Sequence, residues 1–199
     1  MTKGRINKDD LLKPEMMIRL YSRGLFPMAD KDGSVDWYMP EIRTIIPLDD
    51  FKIPRSLRKF MGDSDFEYRF DFNVMKIVKL CARRKKTWIS RELIDAYKGL
   101  HEQGNLHSVE VFENNKLLAG LYGVTYQGAF FGESMFTTIS QGSKCALAAL
   151  LKHLNEKGYV LLDIQFLTPH LKMFGAREIH LDEYERMLYF ASDKTINFI

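Results

Sequence analysis

The sequence contains little cysteine and no long apolar segment, and both absences narrow the possible classes of protein. Two cysteines, Cys81 and Cys145, occur among 199 residues, which excludes a disulfide-rich scaffold and a cysteine-based zinc site. No apolar run reaches the length needed to cross a bilayer. The first residues, Met1-Thr2-Lys3-Gly4-Arg5, lack the apolar region of a secretory signal. We therefore expect a soluble, cytoplasmic protein without a membrane partner.

The five histidines are scattered, and no acidic cluster beside them has the spacing of metal ligands. A nucleophilic triad or a metal centre would need such groups to converge. The sequence therefore predicts chemistry that uses neither a metal ion nor a histidine-activated nucleophile. The histidines concerned are His101, His107, His153, His170 and His180.

The composition is that of a globular chain with a substantial core. Hydrophobic residues make up 46% and aromatic residues 13%, enough for one large domain or for one domain with a small appendage. The net charge is only +3, but two basic clusters stand out: Arg55, Arg58 and Lys59, and the run Arg83, Arg84, Lys85 and Lys86. Such clusters either neutralise phosphates or form a solvated surface.

Hydrophobic periodicity predicts helices first and a sheet later. Apolar residues recur at helical spacing over residues 9–24, and Ser90 is a good N-cap for a helix that ends near Gly104. Asn114-Asn115 lies between two alternating segments and indicates a β-hairpin. Together these signals predict an α+β fold with a largely antiparallel sheet. Further helices are expected at 54–61, 73–83, 142–157, 169–174 and 182–190, and strands at 66–72, 129–131 and 159–165, whereas residues 26–40 look irregular.

Two short segments place polar groups among apolar neighbours: Gly132-Glu133-Ser134-Met135-Phe136 and Asp163-Ile164-Gln165. On a strand, Asp163 and Gln165 would lie side by side on one face. Buried carboxylates are costly unless they are paired or used, so these segments are candidates for a functional site. The alternative is that the backbone satisfies both polar groups.

Several motifs, taken in order, resemble the leucyl/phenylalanyl-tRNA–protein transferases. Besides the two segments above, they are Arg23-Gly24-Leu25-Phe26-Pro27, Thr87-Trp88-Ile89, Leu121-Tyr122-Gly123-Val124 and Ser143-Lys144-Cys145-Ala146-Leu147. The match covers residues 11–188 and is densest over 107–176. The resemblance implies a small N-terminal domain at residues 1–62 and an acetyltransferase-like (GNAT-related) domain at 63–199.

The resemblance also implies a reaction. Leu or Phe, and by extension Met, would move from charged tRNA to the N-terminal α-amine of proteins that begin with Arg or Lys, marking them for degradation. Because the ester is already activated, the reaction needs no cofactor. Gln165 would hydrogen-bond the amine or the ester, Asp163 would orient Gln165 or receive the proton indirectly, and Glu133 would hold an α-amino group or polarise this network.

The remaining site residues implied by the resemblance fall into two groups. An apolar pocket for the aminoacyl side chain would use Trp88, Leu121, Phe130, Met135, Leu150, Leu154 and Leu162, although ordinary core packing explains each of them equally well. The tRNA end would be bound by Trp37 and Tyr38, which would stack on adenosine or close the interface between the two parts, by Lys144, and by the basic clusters Arg55, Arg58, Lys59, Arg83, Arg84, Lys85 and Lys86.

The sequence departs from the family pattern at Met28, where a Trp commonly follows Phe-Pro, and in its shorter N-terminal lead-in. These departures put the range of accepted substrates in doubt, whereas the residues expected to carry the chemistry are present.

Two alternative functions remain open. A CoA-dependent acetyltransferase would need a glycine-rich loop, but Lys144 occupies a glycine position in Gln141-Gly142-Ser143-Lys144-Cys145-Ala146. A non-catalytic tRNA- or degron-binding module would not need Asp163 and Gln165. A monomer is the default expectation.

Overall fold

The computed structural model describes residues 8–84 and 87–199. Its N-terminal part contains a 3₁₀ helix, Lys8–Leu12, and a helix α1, Pro14–Tyr21. The sequence predicted one continuous helix here; instead the chain is extended at Lys13, because the residue before a proline avoids helical geometry. Pro14 then begins α1, where its missing N–H costs nothing.

Residues 26–40, predicted to be irregular, contain an antiparallel pair of short strands. They are β1, Phe26–Ala29, and β2, Val35–Tyr38, with Phe26 opposite Tyr38 and Ala29 opposite Val35. Each strand has four residues, too few for alternation to be visible in the sequence. The pair carries Met28 and Trp37 against the rest of the molecule.

The main sheet has seven strands: β3 Ile42–Ile45, β4 Glu67–Phe70, β5 Leu106–Glu113, β6 Lys116–Tyr126, β7 Ala129–Thr137, β8 Leu161–Gln165 and β9 Arg177–His180. Their order across the sheet is β4-β5-β6-β7-β8-β3-β9. All neighbours are antiparallel except β7 and β8, which are parallel. The predicted hairpin is confirmed, and its turn residues Asn114 and Asn115 both have positive φ.

Helices cover both faces of this sheet. Alternation along the strands sends Leu121 and Phe130 into one apolar cluster, and Tyr122 and Phe131 into the other. The predicted cap of helix α4, Arg91–Glu102, is confirmed, because the Ser90 hydroxyl accepts a hydrogen bond from the Leu93 N–H at 3.2 Å. The helices are α2 Arg55–Gly62, α3 Val74–Cys81, α4 Arg91–Glu102, α5 Gly142–Lys157, α6 Pro169–Lys172 and α7 Leu181–Ser192.

The position of β3 bears on how the chain divides. β3 precedes residue 62, yet it pairs with β8 and β9 inside the main sheet. A boundary after residue 62 would separate β3 from its own sheet, whereas a boundary between β2 and β3 leaves both sheets whole. No helix within residues 8–84 and 87–199 is both long and apolar enough to cross a membrane.

Candidate active site

A cavity of about 660 Å³ opens where β7 and β8 diverge around the start of α5. The volume lies in the range of sites that enclose small organic ligands. Its walls are mostly apolar and come from β6, β7, β8, α5 and α6, and the β1 residues Phe26 and Met28 close one side. Glu133 is the one acidic side chain among the described residues that line it.

Five of the seven predicted pocket residues line this cavity: Trp88, Leu121, Met135, Leu150 and Leu162. Phe130 and Leu154 do not line it and are fully buried in the core. Leu150 is the last α5 residue among the described residues that line the cavity, and Leu154 lies one turn beyond it on that helix. Phe130 packs instead on Phe198, with ring centroids 5.7 Å apart.

Glu133 reaches the cavity because it is the extra residue of a β-bulge. In the β6–β7 ladder Tyr122 is opposite Ser134 and Gly123 is opposite Gly132, so Glu133 has no partner of its own. A bulge re-aims a side chain and is common beside active sites. The sequence showed the glutamate but not the bulge, since the bulge depends on the register with β6.

Two tyrosines hold the Glu133 carboxylate from behind. The hydroxyl of Tyr21 donates to Oε1 at 2.9 Å, and that of Tyr97 donates to Oε2 at 2.8 Å. Both donors are neutral and fully buried. Removal from bulk water raises the pKa of Glu133 to about 7, although the two tyrosine hydrogen bonds lower it. The group can therefore change its charge near neutral pH.

Asp163 has entirely different surroundings. It is fully buried and forms an ion pair with Arg43, which is also fully buried. The Arg43 Nε lies 3.0 Å from Oδ1 and 3.1 Å from Oδ2, and Arg43 Nη2 also donates to Oδ2. Oδ2 accepts another hydrogen bond from the Tyr184 hydroxyl at 2.7 Å. Asp163 is not among the residues that line the cavity.

Gln165 lines the cavity and Asp163 does not, although a regular strand would place both side chains on one face. The chain leaves extended geometry at this residue, where φ is +56°. Such a value is uncommon for a non-glycine residue and often marks a functional position. The Gln165 N–H donates to Asp163 Oδ1 at 2.9 Å. Its side-chain Nε2 is buried without a hydrogen-bond partner in the described part of the chain.

The predicted tRNA-binding residues are spread more widely. Lys144, in the first turn of α5, and Arg84 line the cavity, and Arg84 donates to Ser134 Oγ at 3.2 Å and to the Met135 carbonyl. Arg83 is exposed nearby but does not line the cavity. The exposed cluster on α2 also lies outside the lining; it comprises Arg55, Arg58 and Lys59. Lys85 and Lys86 lie outside the described residues.

The aromatic pair on β2 lies outside the cavity lining as well. Trp37 packs edge-on against Tyr21, with ring centroids 5.5 Å apart, and so contacts α1. The Tyr38 hydroxyl donates to Asp30 Oδ1 at 3.3 Å. This arrangement favours, for Trp37, the role of closing the interface between the two parts of the chain. Met28, on the paired strand β1, lines the cavity.

Sequence reasoning missed the partners of both carboxylates: Tyr21, Tyr97, Arg43 and Tyr184. Arg43 offered one signal, because a single cation between Ile42 and Thr44-Ile45-Ile46 needs a buried partner. The three tyrosines offered no such signal, because each lies on a helix whose buried side is otherwise apolar. Within residues 8–84 and 87–199, no three His, Cys, Asp or Glu side chains are grouped so that they could hold a metal ion.

The fold has a counterpart among solved structures. The crystal structure of FemX matches with a TM-score of 0.55 at 12% identity, covering 79% of this chain and 63% of that one. At this identity the match shows the fold alone, and it confirms the predicted acetyltransferase-like class.

Sequence comparisons are more specific. The model of the leucyl/phenylalanyl-tRNA protein transferase family matches residues 45–189, and that of its N-terminal domain matches residues 10–41. A leucyl/phenylalanyl-tRNA–protein transferase of Herpetosiphon aurantiacus is 45% identical over 89% of this chain and 93% of its own length. One from Ruegeria sp. is 44% identical over 94% of this chain and 90% of its own length. The chain therefore belongs to the leucyl/phenylalanyl-tRNA–protein transferase family and is an aminoacyltransferase.

Proposed function

We propose that this protein transfers Leu or Phe from charged tRNA to the N-terminal α-amine of proteins that begin with Arg or Lys. The observation that carries the proposal is Gln165: its side-chain nitrogen is buried without a partner in the described part of the chain, at the wall of an apolar cavity that the Glu133 carboxylate of β7 also lines. A buried donor of this kind is costly unless a ligand accepts its hydrogen bond. An ester carbonyl oxygen in the cavity would be such an acceptor.

The transfer itself needs no covalent enzyme intermediate. The acceptor nitrogen attacks the ester carbonyl carbon, the amide bond forms, and the bond from that carbon to the ribose oxygen breaks. The proton lost by the amine ends on the ribose oxygen, so that tRNA leaves with a free hydroxyl group. Gln165 Nε2 would donate to the carbonyl oxygen while negative charge develops there, which lowers the barrier most when the donor is already in place.

Glu133 would bind the α-amino group of the donor amino acid. At pH values above about 7 it is a carboxylate that faces the cavity with neutral donors behind it, so its charge is available to an ammonium group. The amino acid's side chain would then lie against the apolar wall, which includes Leu121, Leu150 and Leu162. Apolar walls discriminate by only about 1–3 kcal/mol per methylene, which is compatible with accepting Leu, Phe and Met.

The 3′ end of the tRNA would reach the cavity along the first turn of α5. Lys144 lies there with its side chain partly exposed, and a lysine at a helix N-terminus is suited to a phosphate. We propose Arg83 as a second phosphate contact, since it is exposed beside the cavity. Arg84 is better explained as a support for β7, because its guanidinium donates to the Met135 carbonyl.

The test is transfer of radiolabelled Leu or Phe from charged tRNA to peptides that differ only in their first residue. We expect labelled peptide when the first residue is Arg or Lys and none when it is Ala or already acetylated. In a cell, such labelling would mark the acceptor for degradation. Transfer to a different set of first residues would contradict the acceptor assignment, and binding of charged tRNA without transfer would favour a binding module.

The role of Gln165 is tested by Gln165→Met, which keeps the side-chain length and removes both polar atoms. We expect kcat to fall about 100-fold, as for loss of one oxyanion donor. Gln103→Ala is the control, because Gln103 lies at the end of α4, outside the cavity lining, and its side-chain amide donates to Glu15 Oε1 at 2.6 Å. An unchanged kcat in Gln165→Met would contradict the proposed contact.

A further inference from the structure

The Arg23-Gly24-Leu25-Phe26-Pro27 segment, which the proposed chemistry does not use, encloses the buried guanidinium of Arg43. Arg43 Nη1 donates to the Gly24 carbonyl at 2.6 Å, and Arg43 Cζ lies 4.6 Å from the centre of the Phe26 ring. Leaving any part of a buried cation unsatisfied is costly, so these contacts fix the guanidinium in one orientation. That orientation directs Nε and Nη2 at Asp163.

Tyr184 completes the enclosure from α7. Its ring centre lies 4.7 Å from Arg43 Cζ, and its hydroxyl donates to Asp163 Oδ2. Burial and the Asp163 carboxylate raise the pKa of Tyr184 well above its ordinary value, so the hydroxyl keeps its proton and remains a donor. Gly24 has φ of +81°, and a Cβ there would lie 2.6 Å from the Tyr184 ring. Only glycine therefore allows this contact.

The carboxylate of Asp163 is fully engaged by these groups. Oδ2 accepts from Arg43 and Tyr184, while Oδ1 accepts from Arg43 and from the Gln165 N–H. The bond from the Gln165 N–H joins this cluster directly to a polar residue of the cavity wall. It falls at the residue whose φ of +56° must be imposed by its surroundings.

We propose that Arg43 and Tyr184 are positioning residues for aminoacyl transfer: they anchor Asp163, which holds the Gln165 backbone in the left-handed conformation that presents its amide to the cavity. Asp163 is then an anchor rather than a proton acceptor. This inference rests on the proposed function, in which Gln165 contacts the reacting ester. It assigns roles to two residues, on β3 and α7, that do not line the cavity.

The kinetic test is Tyr184→Phe, which removes one hydroxyl and keeps the ring against Arg43. We expect kcat for transfer to fall about tenfold with KM for Leu-tRNA unchanged. In a Gln165→Met background the same substitution should have no further effect on kcat, because Tyr184 acts only through Gln165. The matched control is Tyr159→Phe, since the Tyr159 hydroxyl is buried without a partner in the described part of the chain.

A second measurement does not depend on activity. Hydrogen exchange at the Gln165 backbone N–H, followed by NMR, should become about tenfold faster in Tyr184→Phe and stay unchanged in Tyr159→Phe. If the wild type transfers nothing, the proposed function fails, and the exchange rates still decide whether Tyr184 holds Gln165.

Two outcomes would overturn the inference. In the first, the losses of kcat from Tyr184→Phe and Gln165→Met add in the double variant, and the Gln165 N–H of Tyr184→Phe exchanges at the wild-type rate. In the second, Tyr184→Phe moves the acid limb of the pH–rate profile, which would make Asp163 a proton acceptor. If kcat of Tyr184→Phe is lower at every pH and the acid limb stays where it is in the wild type, the positioning role is supported.

Discussion

Two carboxylates lie near the proposed reaction centre, and their surroundings differ in one respect that separates their roles. Glu133 is held by two neutral tyrosine hydroxyls and faces a cavity. Asp163 is held by a guanidinium and a tyrosine hydroxyl and faces protein on every side. Neutral donors orient a carboxylate without neutralising it, whereas a buried cation neutralises it.

The charge of Glu133 is therefore available to a substrate, while that of Asp163 is used within the fold. A buried ion pair contributes little net stability but is costly to break from one side. A cavity-facing carboxylate with a raised pKa behaves differently: removing its charge does not lower the stability of the fold, because the charged form was already disfavoured by desolvation. The same substitution, acid to amide, should consequently have opposite effects at the two positions.

The largest effect is expected for Asp163→Asn. The amide would leave the Arg43 cation buried without its counter-charge, and the free energy of unfolding should fall by about 3–5 kcal/mol. Urea denaturation at pH 8 measures this loss. Glu133→Gln is the matched control and should not lower the unfolding free energy at that pH. Equal losses in the two variants would remove the distinction between the carboxylates.

The contrast also shows what the sequence could predict. Local signals predicted α5 as residues 142–157, its observed bounds, because an apolar stripe ends at Gly158 in the left-handed conformation. They predicted the hairpin for a similar reason, since two asparagines with positive φ form the turn. Glu133, Asp163 and Gln165 were recognisable as polar residues in apolar segments that resemble a family.

What the sequence did not show depends on distant partners. Arg43 and Asp163 are separated by 120 positions, and nothing local to either residue identifies the other. The bulge at Glu133 exists only in register with β6. The strands β1, β2, β3 and β9 have four residues each, and their pairing rather than their own periodicity defines them. Regular alternation was also the wrong guide at Gln165.

The second-largest effect is expected on α5, where one leucine lines the cavity and another belongs to the protein core. Leu150 lines the cavity and Leu154 does not, although both are leucines on one helix and both are buried. Leu150→Ala and Leu154→Ala should each lower the free energy of unfolding by about 2–5 kcal/mol. Leu150→Ala alone should change the ratio of Phe to Leu transferred, in favour of Phe, by about tenfold.

Competition between Phe-tRNA and Leu-tRNA in one reaction measures this ratio and is insensitive to the fraction of folded enzyme. A shift of similar size in Leu154→Ala would mean that the donor's side chain lies deeper than the cavity described above. No shift in Leu150→Ala would place it elsewhere on the wall.

The smallest effect concerns the charge of Glu133. Its pKa of about 7 lies above the ordinary value for glutamate near 4.3, because burial disfavours the charged form. Donor binding should therefore strengthen as pH rises through about 7, and the ratio of wild-type to Glu133→Gln kcat/KM for Leu-tRNA should increase about tenfold between pH 6 and pH 8. Taking the ratio cancels titration of the acceptor amine, which is common to both enzymes.

The same pKa fixes the sign of a second measurement on Glu133. Between about pH 4.3 and 7 the folded state binds more protons at this residue than the unfolded state, so its contribution to stability declines as pH rises through that window and is lowest above it. The unfolding free energy of Glu133→Gln should accordingly increase relative to that of the wild type between pH 5 and pH 8. A stability difference that stays flat between pH 5 and pH 8 would mean that burial does not raise the pKa of Glu133, and the contrast drawn between the two carboxylates would then fail.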